Sequence, residues 1–194
     1  MNNKKLIILT GPSGVGKGSL EKILFTFPEL KLKLSCSATT RKPRIGEKEG
    51  FHYYFISKEE FEEKIKNNEF IEWNLHFDNY YGTLYSEITK IQNEGSIPIL
   101  EIETYGALNI FEHFVKQNKQ KDLISIFIMP PSIKELRKRI KERGTEISEQ
   151  IEKRIKKAKE ELKQKNSFSY VVINDNLQVA AKKIKDIILG EING

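Results

Sequence analysis

Apolar residues occur along this chain in two rhythms. Some runs are short and unbroken, as strands buried on both faces require: Leu6 to Leu9, Ile97 to Glu103, Leu123 to Met129 and Tyr170 to Asn174. Others recur at i, i+3, i+4 and i+7, the stripe of an amphipathic helix. Leu20, Ile23, Leu24 and Phe27 form one such stripe, and Ala107, Leu108, Phe111, Phe114 and Val115 a second. Ile151, Ile155 and Leu162 form a third with Arg154 beside it, and Val179 to Leu189 a fourth. A further helix is expected from about Leu84 to Asn93, and Leu32, Leu34 and Cys36 alternate as in a half-buried strand. Ser132 and Glu135 have the spacing of a capping box, opening a helix that turns Leu136 and Ile140 inward and ends at Gly144-Thr145. Strands and helices in alternation predict an α/β fold, a parallel sheet covered by helices on both faces.

Residues 37–83 break this order. Ser37 to Gly50 is polar and interrupted by Pro43, Gly46 and Gly50, which reads as a loop. Phe51 to Ile56 is aromatic and strand-like. Ser57 and Glu60 have capping-box spacing before a helix carrying Phe61 and Ile65. Phe70 to Trp73 reads as a short strand and Asn79 to Thr83 as a turn. The segment is expected to be a compact α+β insertion into the parallel core. Within it, Phe51, Tyr54, Phe55 and Trp73 are expected to be packing aromatics.

Composition narrows the class. A chain of 194 residues, 38% hydrophobic and 31% charged, can bury one core and expose a wet surface. No apolar run approaches the roughly 20 residues needed to span a bilayer, and the apolar run at the N-terminus is too short for a signal peptide. The single cysteine, Cys36, excludes an intrachain disulfide and fits a reducing compartment, so a cytoplasmic protein is expected, without a membrane partner. The net charge of +6 permits anionic partners, but a lysine-rich surface explains it equally well, and no nucleic-acid partner is expected from it. His52, His76 and His113 are scattered without metal-ligand spacing.

The chemistry begins directly after the first strand. Gly11-Pro12-Ser13-Gly14-Val15-Gly16-Lys17-Gly18-Ser19 lies between a strand and a helix, the context of a phosphate-binding P-loop. Glycines let backbone N–H groups surround a polyphosphate, the helix N-terminus adds partial positive charge, and Lys17 adds a full one. Gly18 stands where Ser or Thr usually holds magnesium, and Ser19 comes one position late. Arg41 and Arg44, preceded by Ser37, Thr39 and Thr40, bring two guanidinium forks that suit a dianionic phosphate. Tyr53 and Tyr81 read either as hydroxyl donors to that phosphate or as packing aromatics. Glu72 interrupts an apolar run. Spacing alone turns it to water, although one carboxylate there also suits the paired donors of a guanine edge. Arg139, Arg143 and Arg154 are candidates for a lid that closes on transferring phosphate, whereas Lys138, Lys141, Lys153, Lys156 and Lys157 read as surface charge.

Taken together, these segments resemble the guanylate kinase family nearly end to end. The resemblance rests on GPSGVGKGS at 11–19, SATTRKPRIGEKEG at 37–50, HYYF at 52–55, NNEFIEW at 67–73 and NYYGT at 79–83. PPSIKELRKRIKERGT at 130–145 and VVINDNL at 171–177 complete it. It implies transfer of the γ-phosphoryl of ATP to GMP, and to dGMP, with Mg²⁺ held mainly by phosphate oxygens and waters, and Ser19 as a possible ligand. It implies a P-loop NTPase core at 1–36, 84–131 and 156–194, a GMP-binding insertion at 37–83 and a lid at 132–155, all in one domain. Carried over by position, Ser37 and Glu72 contact guanine, while Arg41, Arg44, Tyr53 and Tyr81 hold the GMP phosphate with Thr83 in the same pocket. Arg139, Arg143 and Arg154 act on ATP phosphates, and Asn174 lies near adenine. The chain departs from the family at Glu101, Glu103 and Tyr105, where Asp, Asp and Gln are usual; Glu103 is still expected on the guanine side. A monomer and a small homo-oligomer are both compatible with the sequence.

Overall fold

The structure, a computed structural model, describes residues 4–76, 78–142 and 148–194. The first half of the chain forms β1 (Leu6–Thr10), α1 (Lys17–Leu24), β2 (Leu32–Leu34), β3 (Ala38–Thr39), β4 (Tyr54–Phe55), α2 (Lys58–Lys66), β5 (Phe70–His76) and β6 (Asn79–Leu84). The second half forms α3 (Tyr85–Asn93), β7 (Ile97–Glu101), α4 (Thr104–Lys116), β8 (Leu123–Met129), α5 (Ile133–Glu142), α6 (Ser148–Lys163), β9 (Tyr170–Ile173) and α7 (Leu177–Asn193).

The main sheet has five parallel strands in the order β2-β7-β1-β8-β9. Its central strand shows why the apolar runs are continuous. Ile7 and Leu9 point to one face, where Leu20 and Leu24 of α1 and Ala181, Ile184 and Ile188 of α7 cover them. Leu6 and Ile8 point to the other, against Ile88 of α3 and Ala107 and Ile110 of α4. Burying each such side chain contributes about 1.5–3 kcal/mol before the chain-ordering cost. β1 is flanked by β7 and β8, so its C-terminal end opens into the crevice where the strand order reverses, the usual ligand position in such sheets.

A second, four-stranded sheet has the order β4-β3-β6-β5. Its own small core is Phe61, stacked between Phe70 at 4.2 Å and Tyr80 at 5.1 Å between ring centroids. Several local expectations are corrected here. Asn79 to Thr83 is not a turn but most of β6, paired antiparallel to β5 and β3. The polar loop contains a strand, β3, while only Tyr54–Phe55 of the aromatic run pairs as one. Phe51 is exposed rather than packed, and Trp73 is partly exposed, meeting the Tyr80 ring edge to face at 5.8 Å. Phe27 falls beyond α1, Cys36 beyond β2 and Glu103 beyond β7.

Register decides the fate of Glu72. Phe70 pairs with Leu84 but Glu72 pairs with Thr83, so Ile71 is an extra residue on β5. Successive residues of β6 face opposite ways, so this bulge puts Phe70 on the Phe61 side and Glu72 on the cleft side. A Cβ at Gly82 would lie within 2.9 Å of the Glu72 carbonyl oxygen and the Trp73 Cβ, so the bulged strands approach this closely only with glycine.

Candidate active site

Gly11 to Gly16 join β1 to α1. Gly16 has φ 100° and lies so close to Asn174 that a Cβ would fall 2.6 Å from Nδ2. Asn174, at the end of β9, fixes the loop: its amide donates to the Val15 carbonyl at 2.8 Å, and its own N–H donates to Met129 O at 2.8 Å. Val15 and Asn174 are buried, so the loop is braced from beneath.

Lys17 folds back over this loop, its Nζ donating to Gly11 O at 2.8 Å. Burial pulls the lysine pKa down, and the carboxylates of Glu101, Glu161, Glu21 and Glu103 oppose that pull. The lysine lines a cavity of about 500 Å³ with Gly11, Gly14, Gly18, Glu101 and Glu161. Lys157, expected as surface charge, lines it too, and its Nζ lies 3.1 Å from each carboxylate oxygen of Glu103. Glu161 is buried, and sequence reasoning gave it no role. The signal was present: Arg154, Lys157 and Glu161 stand at i, i+3 and i+7, a polar stripe beside the apolar one.

Two of the three arginines expected to belong to a lid reach the loop's rim. Arg139 Nη1 donates to Asn174 O at 2.9 Å and its Nε to Glu135 at 3.0 Å. Arg154 Nη1 lies 3.5 Å from Ser13 Oγ. Arg143 lies outside the described residues. Ser19 is exposed and lines a separate cavity of about 320 Å³ with Gly14, Arg139, Asn174, Asp175 and Leu177.

Across the crevice, Arg41 is held by Glu47 through two parallel hydrogen bonds of 2.9 Å. The guanidinium lies 5.4 Å from the Tyr53 ring centroid, and Tyr53 and Tyr81 meet edge to face at 6.0 Å. Glu47 also accepts from the Arg44 backbone N–H at 2.7 Å. Arg41 first, then that N–H, pulls the Glu47 carboxyl down to about 2. Sequence reasoning gave no role to Glu47, although it stands three residues after Arg44. The Arg44 side chain is exposed and lines none of these cavities.

Glu72 lines a cavity of about 290 Å³ with Ser37, Asn74, Tyr81, Glu101 and Glu103. It is only 7% exposed, which corrects the turn to water that spacing alone gives it. Burial pushes its carboxyl up, opposed by the Thr83 hydroxyl, which donates to Oε1 at 2.9 Å. Its Oε2 lies 3.2 Å from where a Cβ on Gly106 would stand, in the first turn of α4. The helix N-terminus favours the ionised carboxylate there. Tyr53, Glu101, Ile102 and Glu103 line this cavity and the Lys17 cavity alike, so the two open onto common residues.

A glycine cradle with its lysine on a parallel sheet, sharing residues with a second pocket built around the buried Glu72, defines a P-loop nucleotide kinase. The family model described as guanylate kinase matches residues 3–191. The chain is 54% identical over 196 residues to a guanylate kinase of Mycoplasmopsis synoviae, covering 100% of this chain and 99% of the relative. It is 48% identical over 186 residues to one of Caldanaerobacter subterraneus subsp. tengcongensis, covering 96% and 87%. Among solved structures, guanylate kinase from Anaplasma phagocytophilum superposes with a TM-score of 0.72 at 31% identity, covering 97% of this chain and 86% of that one. The chain belongs to the guanylate kinase family. It is an enzyme, a kinase that phosphorylates GMP at the expense of ATP. Among the described residues, no helix is long and apolar enough to cross a membrane.

Proposed function

We propose that the two communicating cavities are the donor and acceptor halves of one phosphotransfer site. The observation that carries this reading is their common lining by Tyr53, Glu101, Ile102 and Glu103. ATP takes the Gly11–Ser19 cradle, with Lys17 leaving Gly11 O for the outer phosphates. GMP takes the other half. Its guanine N1–H and N2–H₂ donate to the Glu72 carboxylate, with Ser37, Thr83 and Glu103 around the base and Arg41, Arg44, Tyr53 and Tyr81 around its phosphate. Glu72 supports this as a buried acceptor with one oxygen taken by Thr83. Asn174 sits on the adenine side and braces the loop there.

A phosphate oxygen of GMP is already an anion, so no general base is required. It attacks the γ-phosphorus, the bond to the β-phosphate oxygen breaks, and ADP leaves with those electrons. Positioning and fixed positive charge carry the catalysis. Residues 132–155 act as the lid, with Arg139, Arg143 and Arg154 closing on the transferred group and excluding water. Residues 37–83 act as the acceptor-binding insertion of a core formed by 1–36, 84–131 and 156–194.

Mg²⁺ enters with ATP. Among the described residues no group of three or more His, Cys, Asp or Glu side chains is arranged to hold a metal ion. That suits a cation which keeps much of its water and binds chiefly through phosphate oxygens, with the Ser19 hydroxyl as the protein ligand offered. When bound, it neutralises charge on the β- and γ-phosphates. The setting is the cytoplasm.

A coupled ADP-release assay over GMP, dGMP, AMP, UMP and CMP tests the acceptor assignment. Turnover is expected with GMP and dGMP only. Equal turnover with AMP would overturn the guanine reading of Glu72.

A further inference from the structure

Glu87 is a buried carboxylate on α3 that the reaction does not use. It faces two segments that meet from different parts of the fold. Its Oε1 accepts the Cys36 backbone N–H at 3.4 Å, and its Oε2 accepts the Tyr54 hydroxyl at 2.9 Å. Lys90, three residues on, places its ammonium 3.8 Å from Oε2. The Tyr54 backbone N–H donates in turn to Ser37 O at 2.9 Å. A closed ring results, from Glu87 to Cys36, through Ser37 to Tyr54, and back to Glu87.

The neighbours of these anchored residues are the ones that face substrate. Ser37 lines the acceptor cavity, and Tyr53 lines both cavities. Tyr54 itself packs beside Ala38, Phe61 and Phe70. Its ring is therefore on the side of the small core, while the preceding residue points into the cleft. Burial first, then the Glu87 hydrogen bond, pushes the Tyr54 hydroxyl up to about 12, so it stays a donor.

We infer that Glu87 is a positioning residue for the acceptor nucleotide, orienting Ser37 and Tyr53 together through the Cys36 N–H and the Tyr54 hydroxyl. The inference rests on the acceptor reading of the Ser37–Glu72–Tyr81 cavity. No atom of Glu87 touches the reacting groups, and it acts through the Cys36 N–H and the Tyr54 hydroxyl alone. Loss of the ring should weaken GMP binding and leave the P-loop, which shares none of these contacts, as it was.

The test is steady-state kinetics with GMP and ATP varied separately, on folded variants checked by circular dichroism. Glu87→Ala should raise KM for GMP about tenfold, since two hydrogen bonds to a buried charge are lost. KM for ATP and kcat should stay within about twofold, because only acceptor binding is touched. Tyr54→Phe, which removes one of the two bonds, should raise KM for GMP about threefold, and it carries the test if Glu87→Ala does not fold. Glu87→Gln retains one good acceptor and should fall between wild type and Glu87→Ala. An unchanged KM for GMP, or equal rises for GMP and ATP, would overturn the inference. Ser37→Ala and Tyr53→Phe separate the two levels. If they raise KM for GMP while Glu87→Ala and Tyr54→Phe do not, the positioning role is wrong. If they too leave it unchanged, the acceptor reading fails and takes this proposal with it.

Discussion

The half of the cleft that we propose for the donor is made of backbone. Gly11 to Gly16 form one uninterrupted stretch between β1 and α1, and Lys17, directly after it in the chain, brings positive charge, with Lys157 lining the same cavity. The main external support is the Asn174 amide on Val15 O. The half proposed for the acceptor is made of side chains. Arg41 and Glu47 come from a loop, Tyr53 from beside β4, Glu72 from a bulge in β5, and Tyr81 and Thr83 from β6. A backbone cradle recognises polyphosphate, which every nucleoside triphosphate carries, and so needs little discrimination. A pocket of buried, hydrogen-bonded side chains rejects a ligand that leaves them unpaired. The division fits a kinase in which phosphate chemistry sits on one side of the cleft and base selection on the other.

The largest expected effect breaks the donor half at the lysine of its glycine loop. Lys17→Ala removes the cation proposed to meet the phosphates, and kcat should fall by about a hundredfold or more. The loss should be alike for GMP and dGMP, and the far-ultraviolet circular dichroism should keep its shape. Turnover near the wild-type rate would remove Lys17 from the mechanism. A smaller and more selective effect is expected on the other side. Glu72→Gln keeps an oxygen for the Thr83 hydroxyl but can present an amide donor to the two guanine donors. KM for GMP should rise by about tenfold or more, with KM for ATP unchanged. If the two constants moved together, the separation of the halves would be wrong.

The same contrast explains what the sequence disclosed. The donor half was legible because its parts are neighbours in the chain: an apolar run, a glycine turn, a lysine and a helical stripe. The parallel sheet was legible because strands buried on both faces leave continuous apolar runs. The acceptor half depends on pairing between distant residues, and local pattern missed it in specific places. Asn79 to Thr83 looks like a turn because Asn and Gly are turn formers, yet β3 and β5 supply its strand partners. Glu72 follows alternation to the solvent side until the extra residue Ile71 reverses it. Glu47 looks like one more charge in a polar loop until Arg41 closes on it. Aromatic content overstated packing at Phe51 and Trp73, which the small second sheet has too little core to cover.

The smallest expected effect concerns a hidden strain in the donor half, visible in stability rather than in turnover. Glu21, on the first helix, is 6% exposed, and its Oε1 has no hydrogen-bond partner among the described residues. Burial first, then the charge of Glu101 and a hydrogen bond to it, pushes its carboxyl from 4.5 up to about 8, against the pull of Lys17. The fold therefore favours the protonated form. The stability this contributes is fully present below about 4.5 and is lost as pH rises through about 8. Glu21→Gln, a neutral side chain of the same shape, should escape that loss. Its Tm without nucleotide should match wild type near pH 4.5, draw ahead as pH rises, and lead by about 3 °C or more above pH 8. A lead independent of pH would mean that packing, not ionisation, separates the variants. The corresponding change on the acceptor side, Glu72→Gln, should show a weaker rise with pH, because the Thr83 hydroxyl and the first turn of α4 already support that carboxylate's charge. The slopes of the two Tm differences against pH therefore measure how far each half has compensated the carboxylate it buries.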